Sequence, residues 1–386
     1  MAYNSRKSKD PGWCTPAGVS VFPNSLTSSG ARTLANNNTV GNYWLKHDAK
    51  VKTCIGIRCT KTKVFFFRFN CTKKILLPIM AEQPFWHIIA NPAARAGVMG
   101  RHWPHIERLL QALGFAYTVQ FTERRGHAAQ LVENALLKGG RYLLAIGGDG
   151  SNHEIVHGIF NQQFVHPSEI TYALLPFGTG NDWARQYDIP SDLRARLERL
   201  LEMKTVQQDI GLVKYQWNAE THSRYFVNVA GMAYDGYIGK KLIESPARNK
   251  LHYLLKVARY LTEYKLSKAR IIFDGKTVED FFYTINIGLC RFSGGGMQFV
   301  PQAVPDDGLF ALTFARQISK LEVLIQTPRF YNGTILQHSK IEGHQARSIR
   351  VEHIGDTPTL LEADGEFLGE TPVEFEILER ALRVVL

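Results

Sequence analysis

The sequence has little cysteine, and the positions of its few cysteines exclude a disulfide framework. Five cysteines occur in 386 residues, and four of them lie before residue 72. Cys290 is the only one in the remainder of the chain, which fits a reducing, cytosolic compartment. Cys54 and Cys59 lack the CxxC spacing of a zinc ribbon, so a structural zinc site is not indicated.

Long hydrophobic runs are also missing. The first ten residues are not followed by the apolar segment of a secretory signal. Val64–Met80 is the most apolar stretch near the N-terminus, but Arg68, Lys73 and Lys74 interrupt it. A membrane-spanning helix is therefore not expected there, and we expect a cytoplasmic protein.

Glutamate is absent from residues 1–79, which carry 13 Lys and Arg against only Asp10 and Asp48. Residues 80–386 contain 33 basic and 33 acidic residues, so the whole net charge of +11 lies in this extension. A neutral globular body with a basic extension does not indicate a nucleic-acid-binding protein. We expect the extension to be disordered. It is either a tether at a membrane surface or upstream sequence before a native start at Met80, and we favour the second interpretation.

The glycine-rich stretch after Tyr142–Ile146 is the most informative part of the chain. The apolar run predicts a buried parallel strand, Gly147–Gly150 predicts a tight turn, and Ser151 with Glu154 has the spacing of a capping box at a helix start. A strand, a glycine turn and a helix N-terminus together favour a phosphate site. Asp149 within the turn favours a nucleotide that is accompanied by a divalent cation.

Two other motifs overlap this stretch. The dinucleotide fingerprint fails because His153 occupies the position of its third glycine, and no GxxxxGK loop occurs in the chain. His153–His157 formally reads as a zincin HExxH motif. We favour the alternative that these are two partly exposed histidines beside an apolar helix face, because the first turn of the helix is already committed to the glycine turn.

Strand and helix patterns alternate over residues 81–209, which predicts a doubly wound parallel sheet. Ligands of such sheets bind at the carboxyl ends of the strands. Short β-type runs dominate residues 210–374 and predict an antiparallel sandwich. A helical insertion near Lys250–Lys265 interrupts them, and its basic residues could rest on anionic lipid headgroups.

Four motifs in order resemble the diacylglycerol-kinase catalytic-domain family, which includes soluble bacterial diacylglycerol kinases, YegS-type lipid kinases, and sphingosine and ceramide kinases. They are Asn91-Pro92, Thr122 with Gly126-His127-Ala128, Gly147–Gly150 with Glu154, and Gly178–Asp182. The resemblance covers residues 84–386. Ser151 and His153 depart from it, since the family usually has Thr and often has Asn at these positions.

The resemblance implies a phosphofructokinase/NAD-kinase-like α/β domain, formed by residues 81–209 with 375–386, and a β-sandwich of residues 210–374. The active site would lie in the cleft between them. The residues that would contact ATP are Asn91, Thr122, Gly148, Asp149, Gly150, Ser151, Glu154, Thr179 and Glu366.

The resemblance also implies the catalytic and metal-binding residues. Asp364 would be the general base, and Asp209 would be a second aspartate of the active site. A structural Mg²⁺ would bind the carboxylate of Asp307 and the carbonyls of Val304 and Leu309. Asp149 and Asp182 would form an acidic network that links the metal to the nucleotide.

These residues together predict an ATP- and Mg²⁺-dependent lipid kinase that acts at a membrane surface and phosphorylates diacylglycerol to give phosphatidic acid. Phosphoryl transfer needs this kind of set, since it depends on positioning and charge neutralisation. The alternatives are another lipid acceptor such as a sphingoid base or phosphatidylglycerol, an NAD-kinase-like activity, or a catalytically silent nucleotide- or lipid-binding regulator. The resemblance leaves a homodimer open.

Overall fold

The computed structural model describes residues 32–34, 42–45, 53–60, 63–70, 84–245 and 250–386. The chain divides into two compact units, Met1–Glu82 and Gln83–Leu386. The first contains an antiparallel sheet of four strands in sequence order: β1 (Arg32–Leu34), β2 (Asn42–Leu45), β3 (Thr53–Thr60) and β4 (Lys63–Asn70). These strands differ from the disorder expected for residues 1–79. Their β-branched and aromatic residues favour extended backbone, while the rest of 1–79 lies outside the described residues.

The second unit begins with alternating strands and helices, as the sequence predicts. The elements are β5 (Phe85–Ala90), α1 (Ala94–Ala112), β6 (Ala116–Phe121), α2 (His127–Leu137), β7 (Tyr142–Gly147), α3 (Asp149–Asn161), β8 (Thr171–Pro176), α4 (Asp182–Gln186) and α5 (Leu193–Leu201). The four strands are parallel in the order β6-β5-β7-β8. Their carboxyl ends therefore meet at one edge of the sheet.

Residues of β7 point alternately to the two faces of this sheet and fix its layers. Leu143 and Ala145 pack with α2 and α3 on one face. Leu144 and Ile146 pack with α1 and α5 on the other. Because both faces are covered, the strand is a continuous apolar run rather than an alternating one.

The remaining elements build the β-sandwich and the helices that accompany it. They are β9 (Thr205–Trp217), β10 (Glu220–Phe226), β11 (Val229–Ala233), α6 (Tyr234–Glu244), α7 (Lys250–Glu263), β12 (Ser267–Phe273), β13 (Lys276–Phe282), β14 (Thr284–Gly288), β15 (Phe292–Ser293), β16 (Met297–Gln298), β17 (Phe310–Ala315), α8 (Lys320–Tyr331), β18 (Ile341–Ala346), β19 (Ser348–His353), β20 (Leu360–Ala363) and β21 (Glu366–Val385). All of these strands except β15 and β16 belong, together with β5–β8, to one 15-stranded sheet. This confirms the predicted α/β half followed by a β-sandwich.

Strand β21 connects the two halves. It runs for 20 residues and pairs with β20, β19 and β9 in antiparallel orientation and with β8 in parallel orientation. The expected boundary between residues 209 and 210 falls inside β9, which pairs along β21 from Thr205 to Gln216. The two halves therefore share continuous strands.

No helix in the described part of the chain has both the length and the apolar character that a membrane crossing requires.

Candidate active site

Two glycine turns meet at the carboxyl ends of β7 and β8. A Cβ atom on Gly148 would lie 2.6 Å from the Cα of Gly178, and the reverse distance is also 2.6 Å. Carbon atoms that are not bonded do not approach this closely, so neither position accepts a side chain without a backbone shift. The amide of Phe177 also donates to the carbonyl of Gly147 at 2.6 Å. The glycines therefore join the two loops into one wall of a pocket.

Helix α3 begins at Asp149, with Gly148 as its N-cap. Its first intrahelical bond runs from the amide of Asn152 to the carbonyl of Gly148, so the amides of residues 149–151 have no acceptor within the helix. These amides and the positive end of the helix dipole favour a phosphate group. The expected N-cap at Ser151 is wrong, because the helix starts three residues earlier. Ser151 instead accepts a hydrogen bond from the side-chain amide of Asn91 at 3.1 Å.

The carboxylate of Glu154 organises a neighbouring loop rather than closing a capping box. It accepts hydrogen bonds from the amides of Gly126 at 2.8 Å and Ala128 at 3.2 Å. Both amides lie at the start of α2. The earlier start of α3 turns Glu154 toward that helix, and the predicted cap is therefore wrong. Glu154 fixes the loop after β6, which carries Thr122.

A pocket of about 610 Å³ lies between these loops, a volume typical of small-molecule sites. Its lining includes all nine residues that the sequence predicts to contact nucleotide: Asn91, Thr122, Gly148, Asp149, Gly150, Ser151, Glu154, Thr179 and Glu366. The fold thus brings the carboxyl ends of four parallel strands together with one residue of the sandwich. Their contact with ATP stays a prediction.

Three arginines that the sequence analysis did not single out also line this pocket: Arg95, Arg124 and Arg125. Arg95 and the two residues after it have left-handed backbone angles, with φ values of 51°, 55° and 77°. Arg125 forms an ion pair with Glu366. Arginines in a turn are usually solvated surface residues, so only the folded arrangement shows that their charges surround the pocket.

Two carboxylates converge beside the glycine turns. A Cβ atom on Gly180 would lie 3.0 Å from Oδ2 of Asp149 and 3.2 Å from Oδ2 of Asp182. Burial, and then the charge of Asp182, raises the pKa of Asp149 from 3.8 to about 6, although the amide of Trp183 donates to it at 3.3 Å. Asp182 accepts from the amide of Gly295 at 2.7 Å, and Nε of Arg185 lies 3.9 Å from its other oxygen.

The oxygen donors of this pair fit a hard divalent cation such as Mg²⁺. Burial is the main cause of the raised pKa of Asp149, and the like charge of Asp182 adds to it, so a cation between the two carboxylates would relieve both effects. The described residues contain no group of three or more His, Cys, Asp or Glu that could hold a metal ion. A cation here would therefore complete its coordination with phosphate oxygens and water.

Asp364 lies in a two-residue turn between β20 and β21, where Ala363 pairs with Glu366. Asp364 and Gly365 have φ values of 51° and 84°, which is the conformation that Asp-Gly supplies in such hairpins. A hydrogen bond from the amide of Gly365 to the carboxylate of Glu362, at 2.8 Å, stabilises this turn. The hairpin therefore presents Glu366 to the pocket, where its Oε1 lies 3.7 Å from a Cβ position on Gly150.

The carboxylate of Asp364 is buried, with 2% of its side chain exposed. Its Oδ1 accepts from the amides of Asn228 at 2.9 Å and Val229 at 3.2 Å. Its Oδ2 accepts from the amide of Val227 and from the ring of His153, both at 2.9 Å. Four donors occupy the four lone-pair positions of a carboxylate.

His153 is fully buried between Asp364 and Arg224. Nε of Arg224 donates to Nε2 of His153 at 2.9 Å, and a guanidinium can only donate. The proton of the neutral imidazole is therefore on Nδ1, and it points at Asp364. The expectation of two partly exposed histidines is wrong for His153. His157, one turn later, accepts from the amide of Tyr225.

Asp209, like Asp364, is not among the residues that line the pocket. Its Oδ1 accepts from the amide of Arg380 at 2.6 Å, and its Oδ2 accepts from the amide of Gly308 at 2.8 Å. Its own amide donates to the carbonyl of Pro305 at 2.7 Å. Burial raises the pKa of Asp209. These contacts favour a role in holding the loop around Gly308, and the catalytic role of Asp209 stays a prediction.

The predicted structural metal residues lie in the same loop. Asp307 is exposed, and its oxygens accept from the amide of Leu309 at 3.0 Å and from Gln345 at 3.2 Å. Val304 is also exposed. The carboxylate and carbonyl oxygens suit Mg²⁺ in type, but a cation would compete with both donors to Asp307. This site stays a prediction.

The comparisons with known proteins cover nearly all of the second unit. Residues 86–213 match the family described as diacylglycerol kinase catalytic domain, and residues 229–386 match the YegS C-terminal NAD kinase beta sandwich-like domain. Diacylglycerol kinases of Staphylococcus haemolyticus (strain JCSC1435) and Staphylococcus aureus (strain JH9) are each 28% identical over 302 residues. These matches cover 77% of this chain and 86% and 90% of the two relatives, respectively.

Solved structures share the fold. The crystal structure of a diacylglycerol kinase from Bacillus anthracis str. Sterne matches with a TM-score of 0.58 at 20% identity, over 79% of this chain and 97% of that chain. A second structure from this organism matches with a TM-score of 0.64 at 20% identity, over 78% of this chain and 95% of that chain. The two matched families together with the observed architecture confirm the resemblance: this chain is a member of the diacylglycerol kinase and YegS-type family of lipid kinases.

Proposed function

We propose that this lipid kinase transfers the γ-phosphate of ATP to the hydroxyl group of diacylglycerol and releases phosphatidic acid. The main support is the pocket at the carboxyl ends of the parallel strands, in which all nine predicted nucleotide contacts meet. Because diacylglycerol is confined to bilayers, the enzyme would act at the cytoplasmic surface of a membrane, where ATP is available.

The triphosphate would bind at the start of α3. The amides of residues 149–151 would donate to phosphate oxygens, and the hydroxyls of Ser151, Thr122 and Thr179 would add further donors. Arg95, Arg124 and Arg125 would neutralise part of the phosphate charge. Oxygen atoms on Ser151 and Glu154 already hold Asn91 and the loop after β6 in place, so the pocket is organised in advance.

Asp149 and Asp182 would hold Mg²⁺ beside the phosphates. When it is bound, the cation supplies charge neutralisation to the phosphate oxygens. The residues of the chain itself then place the nucleotide and shield the two carboxylates from bulk water.

Asp364 is the proposed base that takes the proton of the acceptor hydroxyl. Because all four of its lone-pair positions accept hydrogen bonds, one donor must withdraw before it can take this proton. Three donors are backbone amides of residues 227–229, where the chain passes from β10 into β11. His153 is the only side-chain donor of the four, so we assign it the role of positioning residue that yields to the substrate.

Radiolabelled ATP with a panel of lipids tests the proposal. Diacylglycerol, a sphingoid base and phosphatidylglycerol are each presented in mixed micelles with Mg²⁺, and the product that carries the label is identified. We expect label in phosphatidic acid. Label in another lipid would identify that lipid as the acceptor in place of diacylglycerol. No label in any lipid, under conditions where ATP binds, would contradict the proposed reaction.

A further inference from the structure

Helix α8 presents an apolar stripe to solvent. Leu321, Leu324 and Ile325 are 67%, 53% and 63% exposed, and their spacing of three and four places them on one side of the helix. None of the 12 residues of α8 is buried. The stripe is therefore continuous and faces away from the protein.

The opposite side of α8 already serves the fold. Val323 and Phe330 pack against the apolar cluster that contains Tyr264, Tyr283 and Ile318. Ser319 and Glu322 form a full capping box that fixes the start of the helix. The outward stripe is consequently not needed to attach α8, and adjacent exposed apolar side chains of this kind mark an interaction surface.

The border of the stripe is basic. Residues 319–340 contain Lys320, Arg329 and Lys340 against the single acid Glu322. That acid is already bound by Lys340 at 2.9 Å and by His338 at 3.1 Å. A cavity of about 560 Å³ opens beside the first turn of α8, where both lysines join aromatic and aliphatic residues of its wall. Apolar side chains with a cationic border complement an anionic bilayer.

We propose that α8 docks this kinase on a bilayer that contains anionic lipid, with the stripe among the acyl chains and Lys320 and Lys340 at the headgroups. The inference rests on the proposed function, which places the acceptor lipid in a membrane. It also moves the predicted membrane contact from α7 to α8. The basic side chains do not decide between the helices, because Lys320 donates to the carbonyl of Thr262 and Lys340 pairs with Glu322, just as Lys256 and Arg259 form hydrogen bonds on α7. The apolar side chains do. Among the residues of α7 whose side chains are described, Leu255 is the one exposed large hydrophobic residue, whereas α8 exposes Leu321, Leu324, Ile325 and Tyr331.

Hydrogen exchange of the full chain tests which helix contacts the vesicle. The exchange of peptides from α8 and α2 is compared without vesicles, with phosphatidylcholine vesicles, and with vesicles that also contain phosphatidylglycerol. We expect α8 to gain protection with the anionic vesicles while α2 does not change. Unchanged exchange of α8 during demonstrated vesicle binding would overturn the proposal.

A matched pair of variants tests the stripe itself. Leu321→Gln combined with Leu324→Gln should weaken the partition to anionic vesicles by about tenfold or more for each lost side chain. Leu137→Gln on α2 is the control, since Leu137 is 66% exposed and Leu321 is 67% exposed. Lys320→Gln should weaken binding about fivefold at low salt only. Equal loss in the control, or no loss in the double variant, would contradict the assignment.

Two further measurements separate this inference from its alternatives. Analytical ultracentrifugation of the wild type and the double variant without lipid tests whether the stripe joins two copies of the chain. A dimer lost in the variant while vesicle binding persists would overturn membrane docking.

Phosphorylation of a water-soluble short-chain diacylglycerol should be equal in the wild type and the double variant. If no lipid accepts phosphate, the proposed acceptor fails, while the vesicle measurements still decide the docking surface.

Discussion

Asp149 and Asp364 both have proposed roles in the reaction, but Asp149 lines the pocket and Asp364 is buried beside it, and their surroundings differ. Asp149 faces a second carboxylate, and burial together with that charge raises its pKa to about 6. Asp364 also has a carboxylate near it, that of Glu362, but its own two oxygens accept four hydrogen bonds. Asp149 therefore accepts few hydrogen bonds beside a like charge, while both oxygens of Asp364 are fully hydrogen-bonded.

This difference separates the two tasks of a phosphotransferase. A carboxylate left without compensation attracts a cation, which suits the nucleotide side of the site. A carboxylate held by many donors is fixed in position, which suits a group that must meet a hydroxyl in one geometry. Four substitutions test the comparison.

Asp364→Ala should have the largest effect. It leaves three buried backbone amides and Nδ1 of His153 without an acceptor, and unsatisfied buried donors cost about 1–3 kcal/mol each. We expect the free energy of unfolding to fall by about 4 kcal/mol, with loss of kinase activity. Urea unfolding followed by circular dichroism measures the change.

Asp274→Ala is the matched control for this variant. Asp274 also precedes a glycine in a hairpin turn with a left-handed φ of 43°, but it is exposed. Its partners, the amides of Arg347 and Ser348, can bond to water instead. If both variants lose the same stability, the burial of the Asp364 network is not what stabilises the fold.

Asp149→Asn should change stability in the opposite direction. The folded pKa of Asp149 is raised from 3.8 to about 6, so the folded state binds more protons between these values and its stability falls as pH rises through them. The substitution removes this penalty, which is about 3 kcal/mol at neutral pH for a shift of this size. The advantage of the variant should vanish below pH 3.8.

Mg²⁺ binding provides a further test of the Asp149→Asn variant. Added Mg²⁺ should raise the unfolding temperature of the wild type more than that of the Asp149→Asn variant, because a ligand stabilises only the state that binds it. Equal stabilisation of both proteins would place the cation elsewhere. A variant that is less stable than the wild type at neutral pH would contradict the repulsion between Asp149 and Asp182.

His153→Phe should affect the chemical step more than nucleotide binding. The ring keeps its packing but loses the hydrogen bonds to Asp364 and Arg224. We expect kcat to fall about 10- to 100-fold because the carboxylate is no longer held in one geometry, with KM for ATP unchanged. His153→Asn should recover part of the loss, and His157→Phe is the control on the same helix. A matching rise in KM for ATP would contradict a role through Asp364.

Arg125→Gln should have the smallest effect. The side chain of Arg125 is 63% exposed and pairs with Glu366 at the pocket, and exposed ion pairs contribute little. We expect KM for ATP to rise about threefold at low salt, with the difference reduced at high salt. Arg141→Gln, which removes an exposed pair with Glu169 away from the pocket, is the control. An unchanged KM would place Arg125 outside the nucleotide site.

Much of the pocket could be predicted because its determinants are local. The apolar run Tyr142–Ile146 and the glycines after it specify a strand and a turn within a few residues. Parallel strands place their carboxyl ends at one edge, so loops distant in sequence meet there without further information. Even the left-handed turn at Asp364 follows from its Asp-Gly sequence.

The remaining features depend on contacts that no local pattern contains. His153 forms a hydrogen bond with Asp364, which lies 211 positions away in the sequence. The sequence around His153 therefore could not show whether this helical histidine is buried or solvated. The start of α3 depends on the contact of Gly148 with Gly178 rather than on a side-chain cap. The arginines around the pocket come from turns in which charged residues are ordinary.

The shared strand β21 has a consequence for how the enzyme can be divided or moved. It starts beside the pocket at Glu366 and ends against β8 at the pairs Arg383–Thr171 and Val384–Tyr172. A cut at residue 209 or 374 would deprive the α/β half of an edge partner and leave unpaired backbone on both fragments. The halves should therefore unfold in one cooperative step and fail to express as separate proteins. Closure around substrate would then come from loops and hairpin tips, not from a hinge between freely rotating domains.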